Sequence, residues 1–133
     1  MALFETDKEL ISRKNQFLKK INEHIEKIKK TTKGGPIYYE VESDTFRLTS
    51  PLASFLMDQY SDRLIFIVEK FKDSDDVRIS ARYGNPEINI GKICQKFARI
   101  FEHTDAVKHN DTASFRTKKK MIKPIFDKLK QYC

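Results

Sequence analysis

The sequence predicts an α/β domain in which a mixed β-sheet is flanked by helices and preceded by a long amphipathic helix. Short β-branched or aromatic runs alternate with segments of helical periodicity, in the order strand, helix, two strands, helix, strand, helix. A chain of 133 residues is long enough for one domain with its own core. Cys94 lies on the apolar side of a predicted helix and Cys133 is the last residue, so no disulfide is expected.

The first predicted element is a helix over residues 6–31. Thr6 and Glu9 fit a capping box, and the Gly34-Gly35-Pro36 run stops the helix. This pattern predicts two parts, a linker or docking helix with its hinge over residues 1–36 and a domain over residues 37–133. A helix of this length exceeds what one small domain covers, so we expect part of its apolar stripe to meet a second chain, giving a homodimer, or another domain. The stripe consists of Leu10, Phe17, Leu18, Ile21, Ile25 and Ile28.

The rest of the chain divides into short strands and three helices. Ser50 and Pro51 resemble an N-cap and a first helical residue, Asn89 can cap the next helix, and Pro124 favours a delayed start of the last one. A continuous apolar run at 64–68 predicts a strand buried on both faces. The predicted strands are 37–41, 45–48, 64–68, 77–82 and 112–116. The predicted helices are 50–60, 89–101 and 117–132.

The charge is unevenly distributed along the chain. The net formal charge is +7, made up of +4 in residues 1–33, −4 in 34–87 and +7 in 88–133. A basic surface built from the two ends of the chain favours a polyanionic partner. The alternative is a set of ordinary solvated lysines.

Basic residues at the predicted strand ends and loops are the candidate anion contacts. Arg82 ends a strand, where its planar guanidinium suits phosphate oxygens, although an arginine there can also pair with a nearby acid. Tyr83 could stack a base or simply cover the sheet edge. Lys108 and His109 form a second candidate site, with a loop-tethering histidine as the alternative. A third cluster opens the last helix, where cations oppose the helix dipole, and comprises Arg116, Lys118, Lys119, Lys120 and Lys123.

Several other functions find no support in the sequence. His24 and His103 have no partners at metal-ligand spacing, so no metal or cofactor is expected. The aspartates at 73, 75 and 76 fit a polar turn and lack the glycine and glutamate of a calcium loop. No phosphate-binding loop, nucleophile motif, signal peptide or membrane-length apolar run is present in this sequence. We expect a cytoplasmic protein that does not contact membranes.

Four segments follow one another between residues 77 and 115: Ser80-Ala81-Arg82 at a strand end, residues 89–97, His109, and Thr112-Ala113-Ser114-Phe115. Their order resembles the domain that follows the catalytic half in DHH-type phosphoesterases, and in particular the archaeal RecJ-like lineage, and the resemblance covers roughly residues 37–133. In that family a strand ending S-x-R leads to a helix N-x-G-x-x-A-x-x-F, a G-G-G-H loop and a small-residue strand. The loop departs from the pattern, because Ala106, Val107 and Lys108 replace the glycines that admit a phosphate to backbone amides.

The resemblance implies a function as well as a fold. It implies that Arg82 faces the substrate, and that the chain is an accessory domain binding single-stranded DNA or RNA. The Asp-His-His set of the catalytic half is absent from this sequence, so we expect no hydrolysis by this chain alone. Two alternatives remain open: a protein-interaction scaffold that joins GINS-type replication proteins, and the substrate-binding half of a nuclease or phosphodiesterase.

Overall fold

A computed structural model describes residues 7–31, 34–43, 48–100 and 112–133. It confirms the predicted α/β fold, a four-stranded mixed sheet flanked by helices and preceded by a long helix. The helices are α1 (Asp7–Thr31), α2 (Thr49–Gln59), α3 (Ile90–Ile100) and α4 (Ile122–Tyr132), and a 3₁₀ turn (Lys119–Met121) precedes α4. The strands are β1 (Ile37–Glu42), β2 (Ile65–Lys70), β3 (Asp76–Arg82) and β4 (Thr112–Lys118).

The sheet has the order β1-β2-β3-β4, with β1 parallel to β2 and the other two pairs antiparallel. A parallel pair needs a crossover connection, and α2 supplies it between β1 and β2. The turn between β2 and β3 is tight because Asp73 adopts a left-handed backbone conformation, with φ of 57°.

Each face of the sheet has its own core. Phe66 and Val68 of β2 pack in a cluster with α3 and α4, whereas Ile65 and Ile67 pack in a second cluster with α1 and α2. All four are fully buried, which confirms the prediction of a strand covered on both faces. The sheet is therefore the middle layer of three.

Helix α1 packs on the sheet through its C-terminal half only. Ile21, Ile25 and Ile28 are buried in the cluster with α2, whereas Leu10 and Ile11 are exposed. The helix contains no apolar stretch of the length that a membrane-spanning segment needs, and the same holds for the other described helices. The chain then turns at two glycines with positive φ, Gly34 and Gly35.

The ends of several elements differ from the predicted ones. Helix α2 begins at Thr49 and its N-cap is Leu48, not Ser50, because the Leu48 carbonyl already accepts a helical hydrogen bond from the Leu52 amide at 2.8 Å. The Thr49 hydroxyl donates a hydrogen bond to the buried Glu69 carboxylate at 3.1 Å. The predicted strand at 45–48 is not tested, since residues 45–47 lie outside the described ranges.

The last strand is longer than predicted. Thr117 and Lys118 belong to β4, where they pair with Val77 and Asp76, so the last helix does not begin at residue 117. Regular α-helix starts at Ile122, two residues before Pro124, which agrees with a delayed start. The predicted cap of α3 is confirmed, because the Asn89 side chain accepts a hydrogen bond from the Lys92 amide at 3.0 Å.

Candidate nucleic-acid interface

The half of the sheet built from β3 and β4 carries polar side chains on the α1 and α2 side. Residues opposite one another in a ladder point to the same face, and β3 pairs with both β2 and β4. Ser80 of β3 lies opposite Ile67, a residue of the α1 and α2 cluster, and opposite Ser114 of β4. The same alternation places four cations on this side. We call this surface the β3–β4 face, and it comprises Arg78, Ser80, Arg82, Ser114, Arg116 and Lys118.

Two of these cations are paired with carboxylates. Arg78 Nε lies 3.9 Å from Oε1 of Glu69, which is 4% exposed and also accepts the Thr49 hydrogen bond. Lys118 Nζ lies 2.5 Å from Asp76 Oδ1 at the far end of β3. That hydrogen bond holds the pKa of Asp76 below its usual value and raises the pKa of Lys118. The charges of Arg78 and Lys118 are therefore partly compensated by carboxylates next to the face.

Arg116 is the most accessible cation of the face. It is exposed on β4, directly opposite Arg78, and its guanidinium carbon lies 4.8 Å from the centroid of the Phe71 ring. A guanidinium stacked on an aromatic ring is held in position while its N–H groups still point outward in the plane of the fork. This arrangement presents donors that match two oxygens of a phosphate group.

Small side chains occupy the centre of the face. Ser80 and Ser114 lie opposite each other, between the Arg78–Arg116 pair and Arg82. Ser80 is 0% exposed, and its hydroxyl has no hydrogen-bond partner among the described residues. A buried hydroxyl without a partner is uncommon in folded proteins. Ser80 is therefore covered, and the half-buried Ser114 is the hydroxyl side chain that lies at the surface between the arginines.

The structure brings together some of the residues that the sequence predicted. Arg82, Arg116 and Lys118 lie on the same face, and the exposed Lys119 and Lys120 continue from Lys118 in the 3₁₀ turn. Lys108 and His109 lie outside the described residues, so their predicted role is not tested.

Tyr83 lies elsewhere. It is 8% exposed and belongs to the cluster with α3 and α4, which leaves its ring little surface on which a base could stack. Of the two interpretations from the sequence, a tyrosine that covers the end of the sheet fits this position.

Sequence reasoning missed Arg78, Ser80 and Ser114 as members of the face. The period-two alternation of β3 was a usable signal, because it places Arg78, Ser80 and Arg82 on one side. Nothing in the sequence indicated that Phe71 contacts Arg116, because Phe71 follows β2 and the contact depends on how the strands pair.

A second group of charged and aromatic side chains lies on the opposite side of the sheet. Here α4 and β1 enclose a groove of about 330 Å³ beside Tyr38 and Phe126. Lys123 and Lys130 both pair with Asp127, at 3.0 and 3.2 Å, so one of their two charges is compensated within α4. Lys123 was grouped with Arg116 from the sequence, but the structure places it in this groove and away from the β3–β4 face.

The described residues contain no cluster of His, Cys, Asp or Glu side chains that could hold a metal ion. The thiol of Cys94, a residue of α3, is buried in the cluster with α4, and this burial raises its pKa to about 12. What the β3–β4 face offers chemically is a set of cationic donors with the half-buried Ser114 hydroxyl among them, suited to binding an anion.

No protein-family model matches this sequence, and a search of curated proteins also gives no match. Solved structures do share its fold. The C-Ala domain of alanyl-tRNA synthetase from Aquifex aeolicus has a TM-score of 0.56 and 15% identity, over 71% of this chain and 86% of that domain. A DHH-domain protein described as a member of the s1p family of ribosomal proteins has a TM-score of 0.52 and 14% identity, over 90% of this chain. A pGpG-specific phosphodiesterase from Vibrio cholerae has a TM-score of 0.58 and 9% identity, over 92% of this chain.

These similarities define a DHH-associated fold, which confirms that part of the resemblance seen in the sequence. With identities between 9% and 15%, they concern the fold alone. The chain spans 30% of the DHH-domain protein and 42% of the phosphodiesterase.

Proposed function

We propose that this chain is an accessory domain of the RecJ-like DHH phosphoesterase lineage that binds single-stranded nucleic acid along the β3–β4 face. The observation that carries the proposal is the alignment of Arg78, Arg82 and Arg116 on one side of two neighbouring strands, with Arg116 exposed. Contacts from arginine to phosphate oxygens would supply most of the affinity and little sequence preference.

The dimensions of the face suit several phosphates. Arg78 and Arg82 are four residues apart on β3, which corresponds to roughly 13 Å at about 3.3 Å per residue. Successive phosphates of a stacked strand rise about 3.4 Å along the axis, so the face spans more than one of them. Lys118 of β4 extends the positive surface beyond Arg78, on the side away from Arg82, and Lys119 and Lys120 follow it.

A single strand fits this face better than a duplex. Reading a duplex requires an element, usually a helix or a two-stranded ribbon, that enters the major groove. In the described part of the chain the β3–β4 face is formed by strands of a continuous sheet. Helix α2 packs over β2 and part of β3 on this side, so the more accessible part of the face is β4 with Arg116. Sheet surfaces of this kind serve as platforms for extended single strands.

The names of the structural neighbours are consistent with this proposal. One is a domain of a tRNA synthetase and another is a phosphodiesterase specific for pGpG, so both names point to nucleic acid or nucleotide substrates. The Ala106-Val107-Lys108 substitution of the glycine loop favours holding a backbone over reading a terminal phosphate, because a lysine attracts phosphate but blocks close approach to the main chain.

Fluorescence anisotropy tests the proposal with labelled single-stranded DNA, single-stranded RNA and duplex DNA over a salt series. For a single strand, each phosphate contact contributes about −0.7 to the slope of log K against log salt concentration. Arg116→Ala is expected to weaken binding and to make the slope shallower by about 0.7. Lys128→Ala on α4 also removes one exposed positive charge, but from the opposite side of the sheet, and should change neither quantity beyond error.

Two results would contradict the proposal. One is the absence of saturable binding to any single strand at low salt. The other is an equal loss of affinity in Arg116→Ala and Lys128→Ala, which would indicate attraction by the net charge of the whole protein and no defined face.

A further inference from the structure

The apolar stripe of α1 continues beyond the part of the helix that packs on the sheet. Ile21 is 1% exposed, but Leu18 is 37%, Leu10 is 51% and Ile11 is 59% exposed. The helix has 25 residues and is roughly 37 Å long at about 1.5 Å per residue, whereas the six residues of β1 extend only about 20 Å. Its N-terminal part therefore projects past the core as a helix with one apolar side, which we call the α1 overhang (residues 7–16).

Two opposite charges lie within the stripe of the overhang. Asp7 is three residues before Leu10 and Lys14 is four residues after it, so all three share one side of the helix. Asp7 and Lys14 are thus separated by about two turns, with the exposed Leu10 and Ile11 between them.

The overhang is complementary to the same overhang of a second copy that runs in the opposite direction. If a second copy packs antiparallel and the pair is centred between Leu10 and Ile11, Leu10 of each copy faces Ile11 of the other. Asp7 of each copy then lies opposite Lys14 of the other, so the ion pair forms twice. A parallel pairing would instead place Asp7 beside Asp7 and Lys14 beside Lys14. A twofold interface uses the same patch on both copies, and of the two orientations only the antiparallel one places opposite charges of that patch against each other.

We propose that the α1 overhang is a homodimer interface in which two copies of this chain pack antiparallel through Leu10 and Ile11, with reciprocal Asp7–Lys14 pairs. The patch is small compared with the surface that permanent dimers bury, so the dimer should be weak and should form as the protein concentration rises. The inference is independent of nucleic-acid binding, because it involves α1 and its test contains no nucleic acid.

Sedimentation equilibrium of the full chain, from low to high micromolar concentration, tests this inference. The wild type should behave as a reversible monomer–dimer system, and Leu10→Asp should be monomeric throughout. Lys14→Asp should raise the dissociation constant roughly tenfold, because it replaces two attractive pairs by two repulsive ones. The double variant Asp7→Lys with Lys14→Asp exchanges the charges and should restore dimerisation to within about threefold of the wild type.

The matched control is Lys19→Asp, the same substitution at an exposed position of α1 that points away from the stripe. It should leave the dissociation constant unchanged. A chain that is monomeric at every concentration would overturn the proposal and would point to a different protein as the partner of the overhang. A dimer that survives Leu10→Asp, or that the exchanged charges fail to restore, would also overturn it. Circular dichroism confirms that each variant is folded.

Discussion

The two halves of α1 should respond very differently to truncation of an apolar side chain. Ile21→Ala removes a side chain that is 1% exposed and packed in the cluster with α2, whereas Leu10→Ala removes one that is 51% exposed. Truncating a buried isoleucine to alanine costs about 2–5 kcal/mol, since it combines lost burial with a cavity. Truncation at an exposed position usually changes the free energy of unfolding by less than about 0.5 kcal/mol.

Urea unfolding followed by circular dichroism measures both changes. The experiment is done at low micromolar concentration, where the monomer dominates, so that loss of dimerisation does not add to the effect of Leu10→Ala. Ile21→Ala should lower the midpoint strongly without changing the dependence on urea, and in a thermal scan Tm should fall by roughly 8–15 °C. Equal effects of the two substitutions, or a loss below about 1 kcal/mol for Ile21→Ala, would refute the account of α1 as a helix packed only at its C-terminal half.

Three further predictions concern the rest of the molecule. Arg82→Ala should weaken single-strand binding by about 1–3 kcal/mol. Arg82→Lys should recover only part of this loss, because an ammonium group cannot reproduce the guanidinium fork. Equal anisotropy curves for the wild type and Arg82→Ala would show that Arg82 is not part of the binding site. Gly84→Ala should destabilise the fold by about 1–3 kcal/mol in urea, because the added Cβ would lie 2.6 Å from the Ser61 carbonyl oxygen; an unchanged midpoint would show that this turn can shift. The purified chain should not hydrolyse oligonucleotides or dinucleotides with Mn²⁺ or Mg²⁺, and turnover that disappears with a chelator would contradict this prediction.

The sequence predicted those parts of the fold that depend on local pattern. The apolar run before Glu69 indicated a strand buried on both faces, and Asn89 indicated the start of α3, because a side-chain cap is a local contact. The start of α2 was predicted two residues too late, with Ser50 in place of Leu48 as the N-cap. Thr49 there also contacts Glu69, which is 20 positions away, and local spacing does not report such a contact.

The candidate site was predicted only in part, because it too depends on contacts between residues far apart in the sequence. Arg82 and Arg116 were identified one at a time, from their strand positions. Their placement on one face with Arg78 depends on the register of β3 with β4, which places Arg78 opposite Arg116. Tyr83 follows Arg82 directly, yet its side chain is buried in the cluster with α3 and α4, because consecutive residues of an extended chain point to opposite sides of the sheet.

The most direct test of the central claim is a titration of the ¹⁵N-labelled chain with an unlabelled single-stranded oligonucleotide, followed by amide chemical shifts. We predict saturable shifts concentrated at Arg78, Ser80 and Arg82 of β3 and at Ser114 and Arg116 of β4, with little change along α4. Shifts centred on the groove between α4 and β1, or no saturable shifts at low salt, would contradict the claim that the β3–β4 face binds nucleic acid.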